Sequence, residues 1–143
     1  MVAVNRLQWQ QLAERWLIDA KRLLDDHRWS AAYYLAGYAV ECGLKACVLV
    51  RVAATPEVIF ETKRFSENCW THDLDDLIRL AGLRTTINLD IGANRQLGIN
   101  WIYVTQWKEV SRYQTATPFD AQRLYQAVTD AADGVLPWIR ARW

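Results

Sequence analysis

Net charge is almost absent from this sequence, since 17 lysine and arginine residues stand against 16 aspartate and glutamate residues. The basic residues are spread along the chain and form no dense block. Proteins that bind duplex nucleic acid regardless of its sequence neutralise many phosphates and need a concentrated positive surface. The sequence therefore argues against that class of protein and leaves room for a small, local basic site.

Long uninterrupted apolar segments are also lacking. The N-terminal stretch has no apolar core of the kind found in signal peptides, because Arg6 and Glu14 enter it early. Residues 29–52 are long enough to raise the question of a membrane span, but Glu41 and Lys45 near their middle would make such a span costly. The three cysteines, an odd number, fit reduced thiols. We therefore expect a cytoplasmic protein that has no contact with a membrane.

Internal repeats and low-complexity segments are missing as well. At 143 residues and 52% hydrophobic, the chain is long enough to build one substantial core. We predict a single domain over residues 1–143.

Residues 29–52 form the segment around which we expect the chain to fold. They are apolar nearly throughout and contain no proline, which predicts a long central helix that is covered on most sides. Ser30 is its predicted N-cap. All the polar chemistry of this helix falls on one stripe, called the polar stripe below, which consists of Tyr34, Tyr38, Glu41, Lys45 and Val48.

Glu41 is the residue that a buried helix explains least. An ionised carboxylate buried without a partner costs several kcal/mol, so it needs a cation. Lys45, one turn later, is a suitable partner, but a pair of this spacing at an exposed position contributes only about 0.3–0.5 kcal/mol. We therefore expect a second cation to reach Glu41 from elsewhere in the chain.

The remaining segments predict an all-α fold. Residues 85–98 have no clear period and are interpreted as a loop with a short helix. The last predicted helix starts with Thr117 as a cap and Pro118 in the first turn. The other predicted helices cover residues 5–26, residues 71–82 with Thr71 as the cap, and residues 99–110.

Three short motifs follow one another along the chain. Ala39-Val40-Glu41 with Leu44-Lys45-Ala46 lies in the central helix, Thr71-His72-Asp73-Leu74 starts a later helix, and Arg112-Tyr113 precedes the last helix. In this order they resemble the HEPN domain, over about residues 12–139. The resemblance implies a four- to five-helix up-and-down bundle without a cofactor. It also implies a homodimer with a cleft at its seam, and a separately encoded minimal nucleotidyltransferase as a partner.

The resemblance also bears on catalysis. Many HEPN proteins are metal-independent endoribonucleases with an arginine followed after four to six residues by a histidine, in which the histidine moves a proton and the arginine stabilises phosphate charge. Arg112 stands at the position of that arginine, but residues 117–119 are Thr, Pro and Phe, so the histidine is missing. A literal match from Arg22 to His27 lies at the end of the first helix. Side chains five positions apart diverge there by about 140°, so we interpret His27 as a helix-terminal histidine.

Five residues are the candidates for ligand binding, and each also has a structural interpretation. Glu41 either orients Arg112 towards a phosphate or forms a structural ion pair with Arg112 or Lys45. His72 is either a general base or a capping or tethering residue, and Tyr113 either stacks on a base or packs. We predict no metal site, since no second ligand pair accompanies the Cys-x-x-His sequence that ends at His72.

The sequence and the resemblance together leave three functions open. The first is a non-catalytic or weakly catalytic protein that binds RNA or a nucleotide and pairs with a nucleotidyltransferase in a toxin–antitoxin-like system. The second is a metal-independent endoribonuclease in which His72 or Tyr113 replaces the missing histidine. The third is a structural dimer whose seam holds Glu41 and Arg112 without a ligand.

Overall fold

The chain folds as a bundle of helices. The computed structural model describes residues 3–143, so Met1 and Val2 of the predicted domain lie outside it. The described residues contain no strand, which confirms the all-α prediction. They form helices α1 (Arg6–Asp25), α2 (Trp29–Ala54), α3 (Phe65–Asn68), α4 (Leu74–Leu80), α5 (Arg84–Ala93), α6 (Arg95–Gln106), α7 (Pro118–Thr129) and α8 (Val135–Arg140), and two 3₁₀ turns, Pro56–Phe60 and Glu109–Tyr113.

Helices α1 and α2 form an antiparallel pair that organises the bundle. Asn5 starts α1 with a capping box, in which its side chain accepts from the Gln8 backbone N–H and the Gln8 side chain accepts in return. The turn into α2 passes through His27, which has a φ of 59°. The predicted central helix is confirmed, because α2 contacts α1, α4, α7, α8 and both 3₁₀ turns. Among the described residues, no helix is both long and apolar enough to cross a membrane.

Trp107 closes the core at one end of the polar stripe. Its side chain is fully buried and lies so close to Gly37 of α2 that a Cβ at that glycine would come within 2.3 Å of the indole. The same indole stacks on Tyr34, with ring centroids 6.0 Å apart. Trp107 thereby fixes the start of the segment that carries the Glu109–Tyr113 turn.

Two predicted caps are wrong. Ser30 does not cap α2, because its Oγ accepts from the backbone N–H of Ala116, 2.9 Å away, and ties the α1–α2 turn to the loop before α7. Asp73 caps α4 in place of Thr71, since its carboxylate accepts from the N–H groups of Asp75 and Asp76. Thr71 accepts instead from the Asp73 N–H at 3.1 Å. The predicted Thr117 cap of α7 is confirmed.

The segment predicted as a loop with a short helix is mostly helical. Helices α5 and α6 are continuous except at Asn94, whose side chain caps α6 by accepting from the Leu97 N–H at 3.1 Å. Burial of Ile87 and Trp101 stabilises this region, although its sequence has no regular period. Helix α6 ends at Gln106, four residues before the predicted end, where the backbone becomes extended at Trp107.

Candidate functional site

Glu41 is the centre of a buried polar cluster. Its side chain has no solvent exposure and receives two basic partners. Lys45 Nζ lies 3.3 Å from Oε2, and His72 Nδ1 lies 3.0 Å from Oε1 and 3.2 Å from Oε2. The predicted Glu41–Lys45 pair is therefore present, and the expected second basic group is His72.

Two segments of the chain supply the members of this cluster. Glu41 and Lys45 lie one turn apart on α2, while His72 lies in the short segment between α3 and α4. Lys45 is 13% exposed and its ammonium group lies 5.1 Å from the centre of the Trp9 ring on α1. The Glu41–His72 contact tethers the start of α4 to α2, which agrees with the tethering interpretation of this histidine.

The geometry defines which histidine nitrogen faces the protein. A carboxylate only accepts hydrogen bonds, so Nδ1 carries a proton and donates it to Glu41. Nε2 is then the nitrogen left for other partners, on a side chain that is 48% exposed. Burial raises the pKa of the neighbouring Tyr38 and Cys42 to about 12, so both groups stay neutral at physiological pH. The cluster can therefore present one oriented imidazole nitrogen at the surface.

The alternative pairing of Glu41 with Arg112 is wrong. Arg112 Nη1 lies 3.1 Å from Oε1 of Glu109, three positions earlier in the same 3₁₀ turn. The guanidinium carbon lies 4.7 Å from the centre of the Tyr113 ring, and Tyr113 is 76% exposed. The resulting Arg112–Tyr113 surface consists of these two exposed side chains on the Glu109–Tyr113 turn.

Arg112 nevertheless stays near the polar stripe. Burial raises the pKa of the Tyr34 hydroxyl, and the Arg112 guanidinium opposes this rise through its positive charge. The charges of Glu41 and Glu109 act on the same hydroxyl in the opposite direction. Tyr34 is therefore close enough to both the Glu41 cluster and Arg112 for their charges to act on its hydroxyl.

Sequence reasoning missed the residue that connects these two groups. Lys108 Nζ lies 2.8 Å from Asp73 Oδ2, so the segment before the Glu109–Tyr113 turn is attached to the residue that follows His72. This contact lowers the pKa of the Asp73 carboxyl. No spacing signal could have indicated the pair, because its members are 35 positions apart.

The five predicted site residues thus fall into two neighbouring groups. Glu41, Lys45 and His72 form the buried cluster, while Arg112 and Tyr113 form the exposed surface, and the Lys108–Asp73 pair joins the chain segments that carry His72 and Arg112. Residues 3–143 contain no group of three or more His, Cys, Asp and Glu side chains placed to hold a metal ion.

Comparison with known protein families identifies the family of the chain. The model of the HEPN domain matches residues 7–141. The chain belongs to the HEPN family. This confirms the resemblance carried by the three motifs over nearly the whole length of the chain. No curated protein and no solved structure matches the chain significantly.

Proposed function

We propose that this HEPN protein binds RNA or a nucleotide at the Arg112–Tyr113 surface, with His72 at its edge, and with little or no cleavage. The observation that carries the proposal is the exposed guanidinium lying 4.7 Å from the centre of an exposed tyrosine ring. A guanidinium binds phosphate through paired hydrogen bonds, and an exposed aromatic ring stacks on an unpaired base. One nucleotide offers both groups to this surface.

Local charge supports a small ligand. Glu109 pairs with Arg112 and Asp73 pairs with Lys108, so each nearby cation is already partly neutralised. Such a surface neutralises few phosphates, and its affinity should depend only weakly on salt concentration. This fits a chain with a net charge of +1.

The test is fluorescence anisotropy with a labelled single-stranded RNA and the variants Arg112→Ala and Tyr113→Ala. Removal of a stacking aromatic side chain should weaken binding about tenfold, and removal of the guanidinium should weaken it by a similar factor and flatten the salt dependence. Arg64→Ala is the matched control, since Arg64 is an exposed arginine that also pairs with a glutamate three positions away. Binding that is unchanged in both site variants would remove this surface as the site.

The proposal includes two partners that belong to the family context. We propose that the chain forms a homodimer and that it binds a separately encoded minimal nucleotidyltransferase, as is typical of HEPN proteins. Light scattering on the purified chain should give twice the mass of 16.6 kDa, and a monomer at micromolar concentration would contradict the dimer. Co-expression with a neighbouring nucleotidyltransferase gene, followed by purification through one tagged partner, tests the second association.

A second candidate function is a metal-independent endoribonuclease, and one contact favours it. The hydrogen bond between Glu41 and His72 Nδ1 leaves Nε2 free to accept a proton from a ribose 2′-hydroxyl, while Arg112 would stabilise charge on the phosphate. Cleavage of mixed RNA in EDTA that is lost in both His72→Gln and Arg112→Ala would support this function. An inert wild-type protein would contradict it.

A further inference from the structure

A second aromatic and cationic surface lies at the turn between α1 and α2. The rings of His27 and Trp29 stack there, with centroids 5.0 Å apart and planes inclined by 14°. His27 and Arg28 are exposed, and Trp29 is half-buried at the first position of α2. An exposed ring that is backed by a second ring and lies beside an arginine suits single-stranded nucleic acids, which bind through base stacking and phosphate contact.

The charges of this turn favour an anionic ligand slightly. In the part of the chain that the structure describes, Arg22 and Arg28 lie within ion-pairing distance of no carboxylate. Asp25 is neutralised by its salt bridge with Lys21. Asp26 is the one carboxylate of the turn that opposes these two arginines, so the turn keeps a small positive excess.

A direct contact brings this turn next to the Arg112–Tyr113 surface. Ser30, which follows Trp29, accepts from the backbone N–H of Ala116 at 2.9 Å. Ala116 is three residues after Tyr113, so their Cα atoms are at most about 11 Å apart along the chain. The two aromatic and cationic surfaces therefore lie at the same end of the bundle, and their separation is within reach of an oligonucleotide.

We infer that His27, Arg28 and Trp29 form a second subsite for single-stranded RNA, which takes the nucleotides next to the one bound at Arg112 and Tyr113. This inference rests on the proposed function and extends it from one nucleotide to a strand. The ligand is an unpaired strand, because stacking on His27 and on Tyr113 requires base faces that a duplex keeps covered.

His27→Gly is the variant that tests the subsite. A φ of 59° is strained for most residues but free for glycine, so the loss of the imidazole ring should leave folding intact or slightly improved. Arg28→Ala removes the cation, and Arg64→Ala serves again as the exposed arginine control. Binding is measured by anisotropy with a labelled mononucleotide and with a longer single-stranded oligouridine.

Wild-type protein should bind the longer strand more tightly than the mononucleotide, and a duplex should compete poorly. His27→Gly and Arg28→Ala should each weaken binding of the longer strand about tenfold and leave binding of the mononucleotide unchanged. Equal affinity of the wild type for both ligands would overturn the subsite, as would variants that bind like Arg64→Ala. Failure of the proposed function has a different signature, namely loss of binding in neither Arg112→Ala nor Tyr113→Ala.

Discussion

The two groups of polar residues on and near α2 differ in burial and in how their charges are compensated. Glu41 is entirely buried, and it is compensated by a lysine on its own helix and a histidine from a distant segment. Arg112 is exposed, pairs with one nearby glutamate and lies against an exposed ring. Because desolvation makes an unpaired buried charge costly, the charge of Glu41 must be compensated by partners within the protein. The second group bears no such cost and stays open to a ligand.

Glu41→Gln, in the buried cluster, should have the largest effect on stability. The neutral amide leaves the poorly exposed Lys45 without its counter-charge, which should lower the free energy of unfolding by about 3 kcal/mol in urea titrations. The matched control is Glu67→Gln. Glu67 is exposed and its pair with Arg64 is long, at 3.8 Å, so this variant should change stability little. An unchanged midpoint in Glu41→Gln would mean that the cluster contributes no stability.

Gly37→Ala should displace Trp107, the residue that precedes the Lys108 contact between the two groups. The added Cβ would lie 2.3 Å from the buried Trp107 indole, so the ring must move, at a cost of about 2 kcal/mol. Gly92→Ala is the control, because no atom lies within 4 Å of its Cβ position in α5 and the helix should gain about 0.5–1 kcal/mol. Equal stabilities of the two variants would contradict the tight contact at Trp107.

Asp73→Ala should have a smaller effect and a defined pH dependence. The substitution removes the N-cap of α4 and the Lys108 contact, which should cost about 1 kcal/mol at neutral pH. Since the Lys108 hydrogen bond lowers the pKa of the folded carboxyl, its contribution is complete above the ordinary pKa of an aspartate. It is lost as the pH falls through the lowered value. Thermal unfolding of both proteins across acidic pH should therefore converge, and a constant difference would contradict this account.

Ser30→Ala should have the smallest effect of the four. It removes the Ser30 hydroxyl that accepts from the Ala116 N–H. Water can partly replace this acceptor, so the free energy of unfolding should fall by only about 0.5 kcal/mol. The same change loosens the contact between the two proposed RNA subsites. Unchanged hydrogen-exchange protection of the Ala116 amide in this variant would show that Ser30 does not hold that loop.

Much of the fold could be predicted from local signals. The helix α2 could be predicted from its apolar run, and the start of α7 from Thr117-Pro118, because helix periodicity and caps depend on neighbouring residues. The helical state of residues 84–93 was not readable, since it depends on burial of Ile87 against other elements. Ser30 shows the same limit, because a good capping residue was used for a contact 86 positions away.

The sequence by itself determined that Glu41 lies in an apolar helix, that Lys45 is one turn away and that a further basic group is needed. Those conclusions follow from helix geometry and from the cost of burying a charge. Only the tertiary structure decided that this group is His72 and not Arg112. The packing of α4 against α2 brings His72 to Glu41, while the Glu109–Tyr113 turn gives Arg112 a partner of its own. A charge balance can be read locally, but the partner that completes it depends on which segments meet.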